Sequence, residues 1–412
     1  MTGSIRMWGW SMLGLLAMGC AMTDRVSGPG RTPTCYVAEL ATPAGPLPFI
    51  LHFDGQSASV ENGEERIVVP QVLLTRDRLE LGFTHYASQI SATWDAEAGA
   101  FIGTWTKRRG AGTEAVVPFR AAPGSGPRFA RAHKHDNDLS GRYRVAFEED
   151  DDPAVGLLTS TETGLSGTFL TTTGDYRYLA GGADSETMRL SCFDGAHAFL
   201  FVADRKPNGT LDGVFWSGDW WHTGWTAKKD PLFNLPDPFE QTEWNSEVSL
   251  GDLAFPDPEG VVRRLTDPEF AGKARIIQIF GSWCPNCHDA SNYLRELHER
   301  YSEAGLSIVG LAFELTGDFE TDRVQVVRSM ERHGTPYPVL VAGLADKEVA
   351  TQQLKALSFV KSYPTTIFLT GAGEVRAIHT GFTGPATGRE YQKLRTSFER
   401  LIEELLESSL LE

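Results

Sequence analysis

The sequence predicts two fold classes in one chain: an all-β antiparallel sandwich or barrel region, then an α/β domain built on a mixed sheet. Three observations carry this. Between Cys35 and about Lys229, short alternating strands are separated by turn dipeptides, and no segment has a helical period. Beyond about Val248, continuous apolar runs alternate with amphipathic helical segments. Within that second region, Ile276-Ile277-Gln278-Ile279-Phe280 stops at Gly281 and passes into Ser282-Trp283-Cys284-Pro285-Asn286-Cys287, a C-x-x-C at the mouth of a helix.

At 412 residues the chain is too long for one core, and two or three domains are expected. Its 41% apolar and 22% charged content is that of a globular protein. A net charge of −16, with no basic stretch interleaved with aromatics, argues against nucleic acid and against a polybasic membrane patch.

Residues 1–20 read as a leader rather than as fold. Arg6 supplies the positive end, and Met7 to Met18 is an apolar run too short to span a bilayer. Leu16-Ala17-Met18-Gly19-Cys20 resembles a bacterial lipobox, which implies a lipid anchor on Cys20. The alternative is an ordinary cleaved signal with an incidental cysteine, and either reading exports the protein. Residues 21–34 are a Gly/Pro-rich tether.

The β region divides into two lobes, 35–122 and 138–229, on either side of a Gly/Pro/Arg/His-rich stretch. Turn signals such as Asp54-Gly55, Asn62-Gly63, Asp194-Gly195 and Asn208-Gly209 separate the strands. Arg78 to Trp105 and Arg189 to Trp216 share a texture, a strand pair leading to Gly-x-aromatic, which suggests related lobes. Cys35 and Cys192, in an exported protein, are candidates for a structural disulfide, although Cys192 equally suits an inert core thiol. Glu148 to Asp152 lacks alternating ligand spacing and reads as a solvated loop. Trp216, Trp220, Trp221 and Trp225 read as core, and His133 to His135 as solvent-facing.

After a Pro/Asp-containing linker, 230–246, the domain 247–412 opens with a hairpin from Leu253 to Leu265. The strand and C-x-x-C follow, with Ala290, Leu294, Leu297 and Tyr301 as the buried stripe of the helix and Gly305 as its stop. His288 falls on the solvent side of that helix. Leu306 to Phe313 is a strand covered on both faces, Thr321 to His333 a helix, Pro338 to Val341 a strand, and Lys347 to Leu357 a helix. Tyr363-Pro364-Thr365 enters a strand, Glu374 to Thr380 pairs with it, and a final helix runs from about Gly388 to Leu406.

The chemistry follows from the helix start. Unpaired N–H groups and the macrodipole stabilise a thiolate at Cys284, which marks it as the nucleophile. Cys287, almost one turn on, lies on the same face and is placed to resolve a mixed disulfide. Pro285 fixes φ at the first helical position.

From about Val248 to Leu406 the chain resembles the thioredoxin superfamily, specifically TlpA/ResA-like thiol-disulfide oxidoreductases, whose W-C-P-x-C motif reads Trp283 to Cys287 here. The resemblance implies a cis bond before Pro364, with Trp283, Pro285, Tyr363, Pro364 and Thr365 around the substrate. Cys284 and Pro364 stand 80 positions apart, leaving room for the helix and strand that this family inserts. Gln278 replaces the buried Asp of plain thioredoxins, and Glu314 matches the glutamate that TlpA/ResA-like proteins use instead. The resemblance further implies reduction of disulfide-bearing proteins, apocytochromes among them, with electrons from a membrane thiol donor and no bound cofactor.

Three rivals compete for the motif. Cys284-Pro285-Asn286-Cys287-His288 is literally C-x-x-C-H, a covalent haem signature, but it follows a buried strand in an α/β pattern. A zinc site needs a second close pair of ligands, and a peroxidase needs T-x-x-C. At the level of the whole chain, the competing reading is a ligand- or partner-binding β protein with an accessory redox domain.

Overall fold

The computed structural model describes residues 34–109, 113–126, 128–129, 138–161 and 164–409. The leader, Cys20, most of the tether and His133 to His135 lie outside the described residues.

The first β region is one antiparallel sheet of β1 (Cys35–Thr42), β2 (Gly45–Asp54), β3 (Ser57–Asn62), β4 (Glu65–Val68), β5 (Gln71–Leu74), β6 (Arg78–Phe83), β7 (Ser88–Asp95), β8 (Ala100–Arg108) and β9 (Glu114–Pro123). Their order is β4-β3-β2-β1-β9-β8-β7-β6-β5. The two edge strands are thus neighbours in sequence, joined by Val69 and Pro70. Such a link spans at most about 11 Å, so the sheet curls until its edges approach each other. The seam carries no ladder, and Pro70 there has no N–H to donate.

The second region closes. β10 (Gly141–Phe147), β11 (Ala154–Thr161), β12 (Gly164–Leu170), β13 (Leu179–Ala183), β14 (Thr187–Phe193), β15 (Ala198–Arg205), β16 (Leu211–Ser217) and β17 (Trp221–Lys229) form an eight-stranded barrel. The last strand pairs with the first, Val145 opposite Ala227. The interior is packed with rings: Phe169 stacks on Phe201 at 4.4 Å and Phe201 on Phe215 at 4.3 Å, with Trp225 edge-on. Trp221, read from sequence as core, is instead exposed, because it begins β17 at the barrel rim.

The two β units share a core. Phe193, Ala196, Ala198 and Leu200 of the barrel pack into the apolar face of the first sheet. There the Asn62 amide donates to the Phe193 carbonyl at 2.7 Å and accepts from its N–H at 3.2 Å.

The C-terminal region is thioredoxin-like. A short hairpin, β18 (Ala254–Pro256) and β19 (Val262–Arg264), precedes β20 (Ala274–Phe280), α1 (Pro285–Tyr301), β21 (Leu306–Glu314), α2 (Phe319–His333), β22 (Val339–Leu344), α3 (Lys347–Leu354), β23 (Thr365–Thr370), β24 (Val375–Thr380) and α4 (Arg389–Ser408). The sheet order is β22-β21-β20-β23-β24, with β20 parallel to β21 and antiparallel to β23. Helices cover both faces, which is why β20 and β21 are continuous apolar runs. Among the described residues, no helix is long and apolar enough to cross a membrane.

Candidate functional site

The central strand β20 ends at Phe280, and a tight turn brings Cys284 to the N-cap of α1. Its Sγ accepts the Cys287 N–H at 3.3 Å, satisfying one of the orphan donors of the first turn. Pro285 takes the first helical position. Cys284 is 7% exposed and Cys287 fully buried, and burial pushes the Cys287 thiol well up. Cys284 is thus the less enclosed of the two, and Cys287 is held as a thiol behind it.

The Tyr363–Pro364 bond is cis. The Tyr363 carbonyl accepts from Cys284 Sγ at 3.3 Å. Pro364 in turn accepts from the Gly381 N–H at 2.9 Å, and the Thr365 hydroxyl donates to Ser362 O at 2.8 Å. Trp283 donates its indole N–H to Phe313 O at 3.0 Å and meets the Tyr363 ring edge-on.

Glu314, the last residue of β21, is fully enclosed. One carboxyl oxygen accepts the Ser282 N–H at 2.8 Å and the other the Ser282 hydroxyl at 2.6 Å. Burial outweighs these bonds and pushes its pKa up to about 8. Gln278 is equally buried, and its amide has no hydrogen-bond partner among the described residues.

His288 departs from its expected place on a solvent face. It is buried, because the short turn Thr84–Tyr86 of the first sheet covers that side of α1. Its ring lies 4.7 Å from Tyr86, 5.5 Å from His85 and 4.5 Å from His333, and its Nε2 is 2.7 Å from Ser282 O. Enclosed in this way, Cys287 and His288 offer no open face against which a covalently bound haem could lie.

Cys35 and Cys192 are not joined to each other. Cys35 opens β1, whereas Cys192 belongs to the aromatic interior of the barrel, where burial pushes its thiol well up.

Residues from all three units meet around the dithiol, and sequence reasoning missed those from the β units. Arg177 is buried between Glu65 of β4, 2.6 Å away, and Asp289 of α1, with which it pairs closely. Asp175 accepts the Gly384 N–H at 2.6 Å, and Asn286, inside the C-x-x-C, donates to Asp175 O at 3.2 Å. No local pattern marks Asp175, Arg177 or Ser282 as part of a redox site. Only the fold brings them there.

A cysteine pair at a helix N-terminus facing a cis-proline, on this sheet order, defines a thioredoxin-like dithiol domain. Residues 252–393 match the family model Redoxin. The chain is 29% identical over 130 residues to the thiol-disulfide oxidoreductase ResA of Geobacillus thermodenitrificans, covering 32% of this chain and 66% of that one, just under two thirds. It is 22% identical over 178 residues to the thiol:disulfide interchange protein DsbE of Pasteurella multocida, covering 43% of this chain and 77% of that one. Among solved structures, a secreted thiol-disulfide isomerase from Corynebacterium glutamicum superposes on 42% of this chain and 96% of its own, at 19% identity and a TM-score of 0.32. A thiol:disulfide interchange protein DsbE from Chlorobium tepidum, described as putative in its source, covers 37% of this chain and 92% of its own, at 20% identity and a TM-score of 0.28.

Proposed function

We propose that this chain is an exported thiol-disulfide oxidoreductase that reduces disulfides of partner proteins. The observation that carries the reading is Cys284 at the α1 N-cap, 3.3 Å from the carbonyl before cis-Pro364, with the buried Cys287 one turn behind. The Cys284 thiolate attacks one sulfur of a partner disulfide; that S–S bond breaks, a mixed disulfide forms, and the departing sulfur takes up a proton. Cys287 then loses its proton and attacks Cys284 Sγ. The partner leaves reduced, and the two electrons it gained leave a Cys284–Cys287 disulfide behind. Trp283, Tyr363 and Pro364 line the approach of the partner's main chain, and the fully buried Thr365 supports that loop through its bond to Ser362 O. Glu314, through Ser282, fixes the turn that delivers Cys284 and is the nearby group suited to take the Cys287 proton.

Export rests on the apolar run Met7 to Met18, and a lipid anchor on Gly19-Cys20. The resemblance to TlpA/ResA-like proteins, together with relatives named ResA and DsbE, favours the cell envelope, a membrane thiol donor, and apocytochromes among the substrates. Redox titration of the Cys284–Cys287 couple tests the direction. A potential toward about −270 mV fits a reductase, whereas one near about −120 mV makes the protein an oxidant and overturns the assignment.

A further inference from the structure

The β12–β13 connection turns tightly at Thr171–Gly174: the Thr171 N–H donates to Gly174 O at 2.8 Å, and Leu170 pairs with Asp175. The tip of such a turn is ordinarily the most exposed part of a barrel. Here Thr172 and Asp175 are buried and Thr173 half-buried, because the tip lies across the first turn of α1 and the loops before β23 and after β24. Thr173 O accepts from the Ser362 hydroxyl at 2.7 Å, one residue before Tyr363–Pro364. Asp175 O accepts from Asn286, between the two cysteines, and the Asp175 carboxylate holds the Gly384 N–H beyond β24. Gly174 approaches so closely that a Cβ there would stand 2.1 Å from Asn286 Nδ2, and a Cβ on Gly381 would stand 2.8 Å from the Thr173 backbone. A second tie holds the same edge: Thr172 bonds Asp152, which pairs with Lys361 at 2.9 Å.

The root of the turn is fixed independently. Arg177 adopts φ 62°, a left-handed conformation costly for a non-glycine residue, and it is clamped there by Glu65 and Asp289.

Two of these contacts share a character. At Ser362 and Asn286 the dithiol's surroundings bind main-chain carbonyls, Thr173 O and Asp175 O, not side chains. An extended peptide of any sequence carries the same acceptors at strand spacing. We propose that the barrel tip Thr171–Asp175 occupies the groove in which a partner's disulfide-bearing strand binds, so that an extended polypeptide reaches Cys284 only by displacing the tip. At Ser362 and Asn286 the exchange replaces like hydrogen bonds with like, which favours reversibility. The tip thereby selects against folded or bulky disulfides that cannot displace it. This rests on the dithiol reading of Cys284, but access to the sulfur is measurable without any reductase assay.

The test is alkylation of reduced full-length protein, mapped to Cys284 by peptide mass, with N-ethylmaleimide and with a polyethylene-glycol maleimide of several kilodaltons. In the native chain the bulky reagent is expected to lag the small one by about tenfold or more beyond its lag on an unstructured cysteine peptide. Gly174→Leu, which cannot share space with Asn286, is expected to remove most of that excess. Ser362→Ala, which deletes one bond to the tip without adding bulk, is expected to reduce it about fivefold and serves if Gly174→Leu does not fold. An excess lag absent from the native chain, or unchanged in folded Gly174→Leu or Ser362→Ala, overturns the proposal. If Gly174→Leu opens Cys284 to the bulky reagent yet neither form reduces insulin, the occluding tip stands and the reductase reading falls.

Discussion

Glu314 and Ser282 are joined twice, through the Ser282 N–H at 2.8 Å and the Ser282 hydroxyl at 2.6 Å. That double contact ties the end of β21 to the turn just before Cys284, and it does so with a carboxyl whose pKa burial raises to about 8.

Glu314→Gln keeps the shape and removes the titration. Because the folded pKa lies above the unfolded one, the native state holds a proton that the unfolded chain releases above about pH 4.5. This contribution is complete below that pH and lost as pH rises toward 8. Denaturant titrations should therefore show wild type losing about 3 kcal/mol more than Glu314→Gln between pH 4.5 and 7. Insulin reduction at pH 7 should fall about a hundredfold in the variant if Glu314 serves as a proton acceptor. A variant with an unchanged rate and an unchanged pH profile would leave Glu314 a purely structural group.

The histidines behind α1 act in the opposite sense. Burial holds His85 down to about 3 and His333 down to about 4, and neither ring nitrogen of His85 has a partner among the described residues. The unfolded chain binds protons below about pH 6.5 that the native rings refuse, so stability falls on acidification. His85→Phe should retain about 2 kcal/mol more than wild type on going from pH 6.5 to pH 5, read from paired denaturation midpoints. An identical acid dependence in the two proteins would refute this assignment.

Arg177 is the cation that binds the three units together. Arg177→Met leaves Glu65, Asp194 and Asp289 without their common partner, and removing one side of a buried pair costs about 3–5 kcal/mol. Thermal unfolding should show the loss at neutral pH. A change below about 1 kcal/mol would mean that these carboxyls are already neutral or hydrated in the native protein.

The redox half was legible in sequence because its signals are local. An apolar strand entering a C-x-x-C, and a Tyr-Pro-Thr at the head of a later strand, are each read within a dozen residues. Barrel closure was not legible, since strand alternation is the same whether Val145 finds Ala227 or a free edge. The covering of His288 by Tyr86, and of Asn286 by Gly174 and Asp175, joins residues more than a hundred positions apart. Helical periodicity places His288 away from the Ala290–Leu294–Leu297 stripe, but it does not say that another domain covers that face. Cys192 was ambiguous for the same reason: its neighbours are aromatic rings of other barrel strands.

The proposed chemistry makes Cys284 the attacking sulfur and Cys287 the resolving one. The direct test is mass analysis of full-length Cys287→Ser incubated with a disulfide-bonded peptide. The expected result is a stable mixed disulfide on Cys284 that releases the peptide on reduction. Adduct confined to Cys35 or Cys192, or no adduct on a protein whose Cys284 alkylates freely, would contradict it.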